Sequence, residues 1–229
     1  MRPLTESIPK ALVPVLGRPF VDWQLELLTA QGVDRVTYCV GYRSAPLRAH
    51  VGDGSRYGVS VTWVDEGEQL RGTAGALRLA HEEDALEDAF FVLYGDSYLP
   101  HDMAAVEAAW RKSGLPALMT VLRNDDHWDA SNTIYADETV VLYDKSRPEQ
   151  QRSAMRWIDY GLSIVTDDLV AAKIPTATRA DLADLMRDLS VAGSLAGFEV
   201  RERFFEVGSP AGLRDLEDHL SRLDSTPRN

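Results

Sequence analysis

Phe90-Phe91-Val92-Leu93-Tyr94-Gly95-Asp96 is the stretch on which the reading of this chain turns. Its uninterrupted apolar and aromatic run reads as a central strand buried on both faces. The Gly-Asp that ends it puts a carboxylate at the carboxyl edge of such a sheet, where open α/β folds bind ligands. Working outward, Thr73–Glu83 reads as a helix with Leu77 and Ala80 spaced for burial. Asp102–Lys112 reads as another helix, closed by Gly114, and Ala117–Leu122 as the next strand. Upstream, Pro19 opens a helix over Phe20–Gln31 that Gly32 stops, followed by a strand at Arg35–Val40. A short helix near Ala45–His50 and a glycine-rich turn over Gly52–Gly58 lead to a strand at Val59–Val64. This βαβα alternation predicts a doubly wound, Rossmann-like α/β fold with a mixed, mainly parallel sheet.

The second half has a different rhythm. Thr133–Tyr135, Thr139–Tyr143 and Arg156–Ile164 read as shorter, antiparallel strands, Asp181–Leu189 as an amphipathic segment and Glu199–Val207 as strand-like. Ser209-Pro210, a cap followed by a proline, starts a last helix through about Leu223. Residues 1–223 are expected to form one domain whose parts, 1–122 and 123–223, share one continuous sheet, with 224–229 as a loose tail. Residues 1–19 contain four prolines and no strand pattern. The central first strand and phosphate-binding turn that normally open such a fold are therefore expected to be absent.

The 229 residues are 45% hydrophobic and 26% charged, an ordinary composition for a folded domain. A net charge of −12, spread along the chain, disfavours nucleic acid and anionic membrane as partners. It leaves room for a nucleotide, which needs only a few local cations, backbone N–H groups or a bridging Mg2+. The single cysteine, Cys39, excludes an internal disulfide and a cysteine-based zinc cluster. Apolar runs are far shorter than the roughly 18–20 residues needed to cross a bilayer, and no secretory pattern is present, so a cytoplasmic location is expected. His50, His81, His101, His127 and His219 are scattered without metal-ligand spacing.

Five positions stand out chemically. Asp96 can hold Mg2+ against phosphate oxygens or cap a turn. Glu206, at the end of Arg203-Phe204-Phe205-Glu206, is either a second carboxylate for the same ion or a surface glutamate. Lys10, between Pro9 and Pro14, is either an ammonium positioned beside a reacting phosphate or a solvated loop lysine. Gly72-Thr73-Ala74-Gly75, at a helix start, either lets a ligand approach the backbone or permits tight packing. Lys145, in Tyr143-Asp144-Lys145, either grips a second anionic substrate or lies in a charged turn. Trp128 and Trp157 are expected to pack in the core, with lining of a sugar pocket as the other reading.

In order along the chain these pieces resemble the nucleotide-sugar pyrophosphorylases, the sugar-1-phosphate nucleotidyltransferase family. The family's opening signature reads roughly G-G-x-G-T-R-L-x-P-L-T, then P-K-x-L-x-P-V-x-G-x-P. The chain has Arg2-Pro3-Leu4-Thr5, Pro9-Lys10-Ala11-Leu12-Val13-Pro14-Val15 and Gly17-Arg18-Pro19. Leu70-Arg71-Gly72-Thr73-Ala74-Gly75-Ala76-Leu77 resembles the base-binding segment, and Gly95-Asp96 the metal aspartate. Asp144-Lys145 stands where Glu-Lys-Pro is usual, Asp159-Tyr160-Gly161 where Asn-Ala-Gly is frequent, and Glu206-Val207-Gly208-Ser209-Pro210 resembles D-V-G-T-P. The G-G-x-G-T-R segment would lie just before Met1.

The resemblance implies transfer of a nucleotidyl group from an NTP to a sugar 1-phosphate, hexose or heptose, with release of pyrophosphate. It implies that Asp96 and Glu206 hold Mg2+, that Lys10 and Asp96 serve the reacting phosphate, and that Gly72, Thr73 and Gly75 frame base and ribose. Lys145 would grip the sugar phosphate, while Asp144, Asp159 and Gly161 would read sugar hydroxyls. On this reading 1–122 is the nucleotide-binding half and 123–223 the sugar-phosphate half. The Gly-Thr-Ala-Gly form resembles members that use GTP with mannose- or heptose-type phosphates for surface polysaccharides. A homo-oligomer is compatible with the family. The competing reading is a catalytically impaired paralogue that binds nucleotide and sugar phosphate as a regulatory subunit.

Overall fold

A computed structural model describes residues 9–41 and 43–224. Arg2-Pro3-Leu4-Thr5 and Ile8, part of the opening motif, lie outside the described residues, as do 225–229.

Along the chain a short hairpin, β1 (Pro14–Val15) and β2 (Arg18–Pro19), precedes helix α1 (Phe20–Ala30). Strand β3 (Arg35–Val40), helix α2 (Ala45–Val51), strand β4 (Ser60–Asp65), helix α3 (Gly72–Glu82) and strand β5 (Ala89–Leu93) follow. Then come β6 (Ser97–Tyr98), α4 (Met103–Ser113), β7 (Ala117–Arg123), β8 (Thr133–Ala136), β9 (Thr139–Tyr143) and α5 (Glu149–Arg152). The rest is β10 (Trp157–Thr166), α6 (Asp167–Lys173), α7 (Leu182–Val191), β11 (Leu195–Val200), β12 (Phe205–Glu206) and α8 (Pro210–Asp224).

Local chemistry sets several of these boundaries. The Asp102 carboxylate accepts from Ala104 N and Ala105 N to cap α4, and Gly114, at φ +65°, ends the same helix. Asp181 caps α7 by accepting from Ala183 N. Pro19, with φ at −53°, leads into α1.

The main sheet has six strands in the order β5-β10-β7-β11-β9-β8. Alternating residues of β7 divide between its two faces. Leu118 and Leu122 pack with Val21, Leu25 and Leu28 of α1. Ala117, Met119 and Val121 pack with α3, α6 and α7. The result is a helix–sheet–helix sandwich. A separate cluster of Phe20, Tyr98, Phe205, Val207, Leu216 and Leu220 fastens α8 beneath the β6–β12 pair. No helix among the described residues is long and apolar enough to cross a membrane.

The mixed α/β architecture agrees with the sequence reading, with three corrections. Among the described residues antiparallel pairings outnumber parallel ones, because β10 runs antiparallel to both β5 and β7 while only β3–β4 and β7–β11 are parallel. The sheet is not continuous either, since β3 and β4 pair only with each other among the described residues. Finally, the single strand expected over Glu199–Val207 is two pieces, β11 ending at Val200 and β12 starting at Phe205. The charged Arg201-Glu202-Arg203 between them leaves the sheet.

The break in the sheet lies beside β5. Arg35 at the start of β3 pairs with Glu87, just before β5, and Thr37 Oγ1 donates to Ala85 O at 2.8 Å. Tyr38 and Val40 of β3 and Phe91 and Leu93 of β5 pack on the same α1 cluster. The two strands thus cover the same helix cluster, and among the described residues no strand-to-strand hydrogen bonds join them.

Candidate functional site

Two residues far apart in sequence meet at the carboxyl end of β5, and a third, Glu206, lies on the strand paired with the segment that follows. The Lys10 ammonium donates to Asp96 Oδ2 at 2.8 Å. A single 3-10 turn over Lys10–Leu12, bounded by Pro9 and Pro14, holds the lysine in place. Asp96 leads into β6, which pairs with β12 so that Ser97 lies opposite Glu206, and Val207 N donates to Asp96 O at 3.0 Å. Both carboxylates therefore sit on one strand pair, with Glu206 exposed. Gly212 in α8 is required here, because a Cβ would lie 2.4 Å from Glu206 O.

The turn carrying Asp96 is held from below by a residue that sequence reasoning missed. Gln24, 4% exposed on the buried face of α1, donates through Nε2 to Tyr94 O at 3.2 Å and to Ser97 O at 2.9 Å. A buried amide with both protons satisfied fixes the turn without adding charge.

The second group lies on β10 and the segment after β9. The β10–β7 register shifts between Asp159 and Ser163, and within that irregularity Gly161 has φ +96°. Such bulges bend a strand and re-aim its side chains. Gly161 N donates to Asp159 Oδ1 at 2.9 Å, Tyr143 Oη donates to Asp159 Oδ2 at 3.4 Å, and Asp159 N donates to Asn132 Oδ1 at 3.2 Å. Burial pushes the Asp159 carboxyl up, opposed by the Gly161 N–H and the Lys145 charge. A Cβ on Gly161 would sit 3.7 Å from the Tyr94 ring and 3.9 Å from Ser97 Oγ. The β10 bulge therefore abuts the turn that presents Asp96. Burial, with Asp159, Asp181 and Asp96 nearby, raises the Tyr94 phenol.

Lys145 is exposed, and its charge favours ionisation of both Asp159 and Asp181. Its neighbour Asp144 departs from expectation. This 6%-exposed carboxylate accepts from Ser146 N at 2.8 Å, Ser146 Oγ at 2.6 Å and Arg187 Nε at 2.9 Å. Those bonds, the Ser146 hydroxyl's first, hold Asp144 below the usual carboxylate range. Both oxygens are engaged within the protein, so Asp144 shapes the turn that presents Lys145 and is not free to read sugar hydroxyls.

Gly72, Thr73 and Gly75 lie in the first turn of α3 and are packed against the segment before α7. A Cβ would lie 2.5 Å from Ala180 O at Gly72 and 2.8 Å from Thr178 O at Gly75. Ala74 N and Gly75 N both donate to Ala180 O, at 3.0 and 3.2 Å. Thr73 Oγ1 donates to Asp181 Oδ1 at 3.0 Å and accepts from Leu182 N at 2.8 Å. The glycines permit close packing between the two halves, and the helix-terminal amides of Ala74 and Gly75 face a carbonyl.

Asp181, a second residue the sequence did not flag, joins the two halves through Thr73. The only sequence signal for it was its position before an amphipathic run. Trp157 is half-buried against Tyr135, whereas Trp128, expected in the core, is 46% exposed.

Residues 1–131 match the nucleotidyl transferase family. Over 205 residues, 84% of this chain and 53% of the relative, the sequence is 26% identical to a UTP–glucose-1-phosphate uridylyltransferase of Synechocystis sp.. It is 28% identical to a mannose-1-phosphate guanyltransferase of Eremothecium gossypii, over 92% of this chain and 58% of that protein. The chain thus spans little more than half the length of these relatives. Among solved structures, HddC from Yersinia pseudotuberculosis complexed with GMP-PN superposes with a TM-score of 0.76 at 21% identity, covering 93% of this chain and 90% of that one. The inositol-1-phosphate CTP transferase from T. maritima superposes with a TM-score of 0.78 at 20% identity, covering 100% and 93%. With the family match extending over more than half of its length, this chain belongs to the nucleotidyl transferase family.

Proposed function

We propose that the protein is a sugar-1-phosphate nucleotidyltransferase, and the observation that carries this is the Lys10–Asp96 ion pair at the end of β5, with Glu206 on the strand that pairs with β6. On this reading an oxygen of the sugar 1-phosphate attacks the α-phosphorus of an NTP, the bond to the bridging oxygen breaks, and pyrophosphate leaves. Lys10 neutralises charge on the reacting phosphate, Lys145 holds the sugar phosphate, and Asp159 with Gly161 orients the sugar. Thr73, Gly72 and Gly75 bring the base and ribose against the sugar half. The protein's work is positioning and charge stabilisation.

The donor set fits Mg2+. The described residues hold no group of three or more potential metal ligands, so an all-protein cage is not available. Mg2+ is commonly held by one or two carboxylates and completed by substrate phosphates, and Asp96 and Glu206 would supply the two. The ion would neutralise phosphate charge when bound.

Guanylyl transfer is the finer reading. It is supported by the guanyltransferase relative and by the GMP-PN complex of the HddC neighbour. Synthesis of a surface polysaccharide precursor, in the cytoplasm, belongs to the same reading. The break between β3 and β5 supports a second possibility, a protein that binds both substrates without turnover.

A matrix of four NTPs against mannose, glucose and heptose 1-phosphates, read as pyrophosphate release, separates these readings. Mg2+-dependent release that is highest with GTP supports the proposal. Tight binding of both substrates with no release supports the binding protein, and strong CTP preference without a sugar phosphate overturns both.

A further inference from the structure

The 124–131 loop between β7 and β8 holds one exposed tryptophan on a frame of buried hydrogen bonds. Asn124, 3% exposed, donates through Nδ2 to Asp129 O at 2.7 Å and Ser131 Oγ at 2.9 Å, while its Oδ1 accepts from Trp128 N at 3.0 Å. Ser131, fully buried, accepts from Asp126 N at 2.9 Å and donates its own N–H to Asp126 Oδ1 at 2.7 Å. Asp125 and Asp126 adopt left-handed backbone, at φ +45° and +60°, which is unfavourable outside glycine. A loop that buries two polar residues and holds two strained ones fixes its tip in one place.

At that tip the Arg203 guanidinium lies over the Trp128 ring, 4.0 Å from its centroid. Arg203 is itself held by Asp215 of α8 at 2.6 Å. His127 meets the indole edge-on at 4.3 Å. Even so, 46% of Trp128 stays exposed. A solitary surface tryptophan is unremarkable on its own. This one is tied to both strands that line the site. Asn124 N and Asp125 N bond Arg156 O just before β10, Asn132 bonds Asp159, and Arg203 lies three residues before Glu206.

We propose that Trp128, backed by Arg203, is a stacking platform for the apolar face of the sugar ring of the sugar 1-phosphate. The inference rests on the sugar-1-phosphate reading above. An indole offers a large, rigid, weakly polar face that complements the C–H face of a pyranose. Arg203 keeps the ring from rotating and adds cation–π contact on the covered side.

The test is saturation-transfer NMR and calorimetry with mannose 1-phosphate, glucose 1-phosphate and GTP as separate probes, on the wild-type chain and on Trp128→Ala and Trp128→Phe. The platform predicts saturation of the sugar-ring protons in the wild type and a loss of sugar-phosphate affinity of about tenfold in Trp128→Ala. Trp128→Phe should recover part of that loss, and GTP affinity should be unchanged in both variants. Unchanged sugar-phosphate affinity in a folded Trp128→Ala overturns the platform alone. Failure of the wild type to bind either sugar phosphate overturns the parent reading and the platform with it. A parallel loss of GTP affinity also overturns the platform, since it marks a general structural defect.

Discussion

Strands β7 and β5 are made of similar residues and live in different environments. In β7, Ala117 through Leu122 are all buried; in β5 every residue from Ala89 to Leu93 is only half-buried. The difference lies in their neighbours. β7 has β10 on one side and β11 on the other, whereas β5 has β10 alone and faces β3 across the break. The apolar effect scales with area removed from water, so the same side chains contribute less at β5. The core around β7 is thus closed, and the sheet edge at β5 open.

The largest expected contrast is in backbone protection. Amides of β7 are bonded on both sides and should exchange with solvent only on global unfolding. In β3 and β5 every second amide points toward the break, and exchange there should be roughly a hundredfold faster or more. Equal protection by hydrogen-exchange mass spectrometry would break the comparison. Next in size is side-chain deletion. Leu118→Ala, at a fully buried site, should cost about 2–5 kcal/mol in denaturant unfolding. Val92→Ala in half-buried β5 should cost about 1 kcal/mol.

Much of this architecture was legible beforehand, and what was not had identifiable causes. Helix ends carried local chemistry, as with Asp102 and Gly114 around α4, and the strand at Phe90–Leu93 followed from its apolar run. The insertion of β10 antiparallel between β5 and β7 was not legible, because side-chain alternation records which face is buried and not which strand lies alongside. β11 was read too late in the chain, since Gly197 interrupts its pattern while Phe204-Phe205 prolongs the apolar signal beyond it. In the site, Lys10, Asp96 and Glu206 announced themselves by following prolines or strands. Gln24 looked like a polar interruption of the Phe20–Leu28 stripe, and only acceptors about seventy residues away in sequence, at Tyr94 and Ser97, reveal its role. Residue type also could not tell that Asp144 is already occupied by Ser146 and Arg187 while Asp181 joins the two halves.

Two smaller effects sharpen the contrast through pH. On β10, Asp159 is half-buried, and desolvation raises its carboxyl. A raised carboxyl costs stability only where it would be ionised in the unfolded chain, above about pH 4, and the cost grows until the folded value is passed. Asp159→Asn should therefore raise the melting temperature at pH 7 and leave it unchanged near pH 3. A variant destabilised at pH 7 would contradict that sign. His219, stacked on Phe205 with ring centroids 4.4 Å apart, is held low by burial and by Arg222. A lowered histidine contributes fully above about pH 6.5, and its contribution is lost as pH falls through the folded value. Thermal melts between pH 7.5 and 5 should show this loss in the wild type and a flatter profile in His219→Phe. Identical profiles would remove His219 from the account.

The most direct test of the central claim is pyrophosphate release by wild type and Asp96→Asn in the same Mg2+-containing assay with GTP and mannose 1-phosphate. The account predicts release by the wild type and a fall of about a hundredfold or more in a folded Asp96→Asn. An unchanged rate would show that the Lys10–Asp96 pair is not where the chemistry occurs.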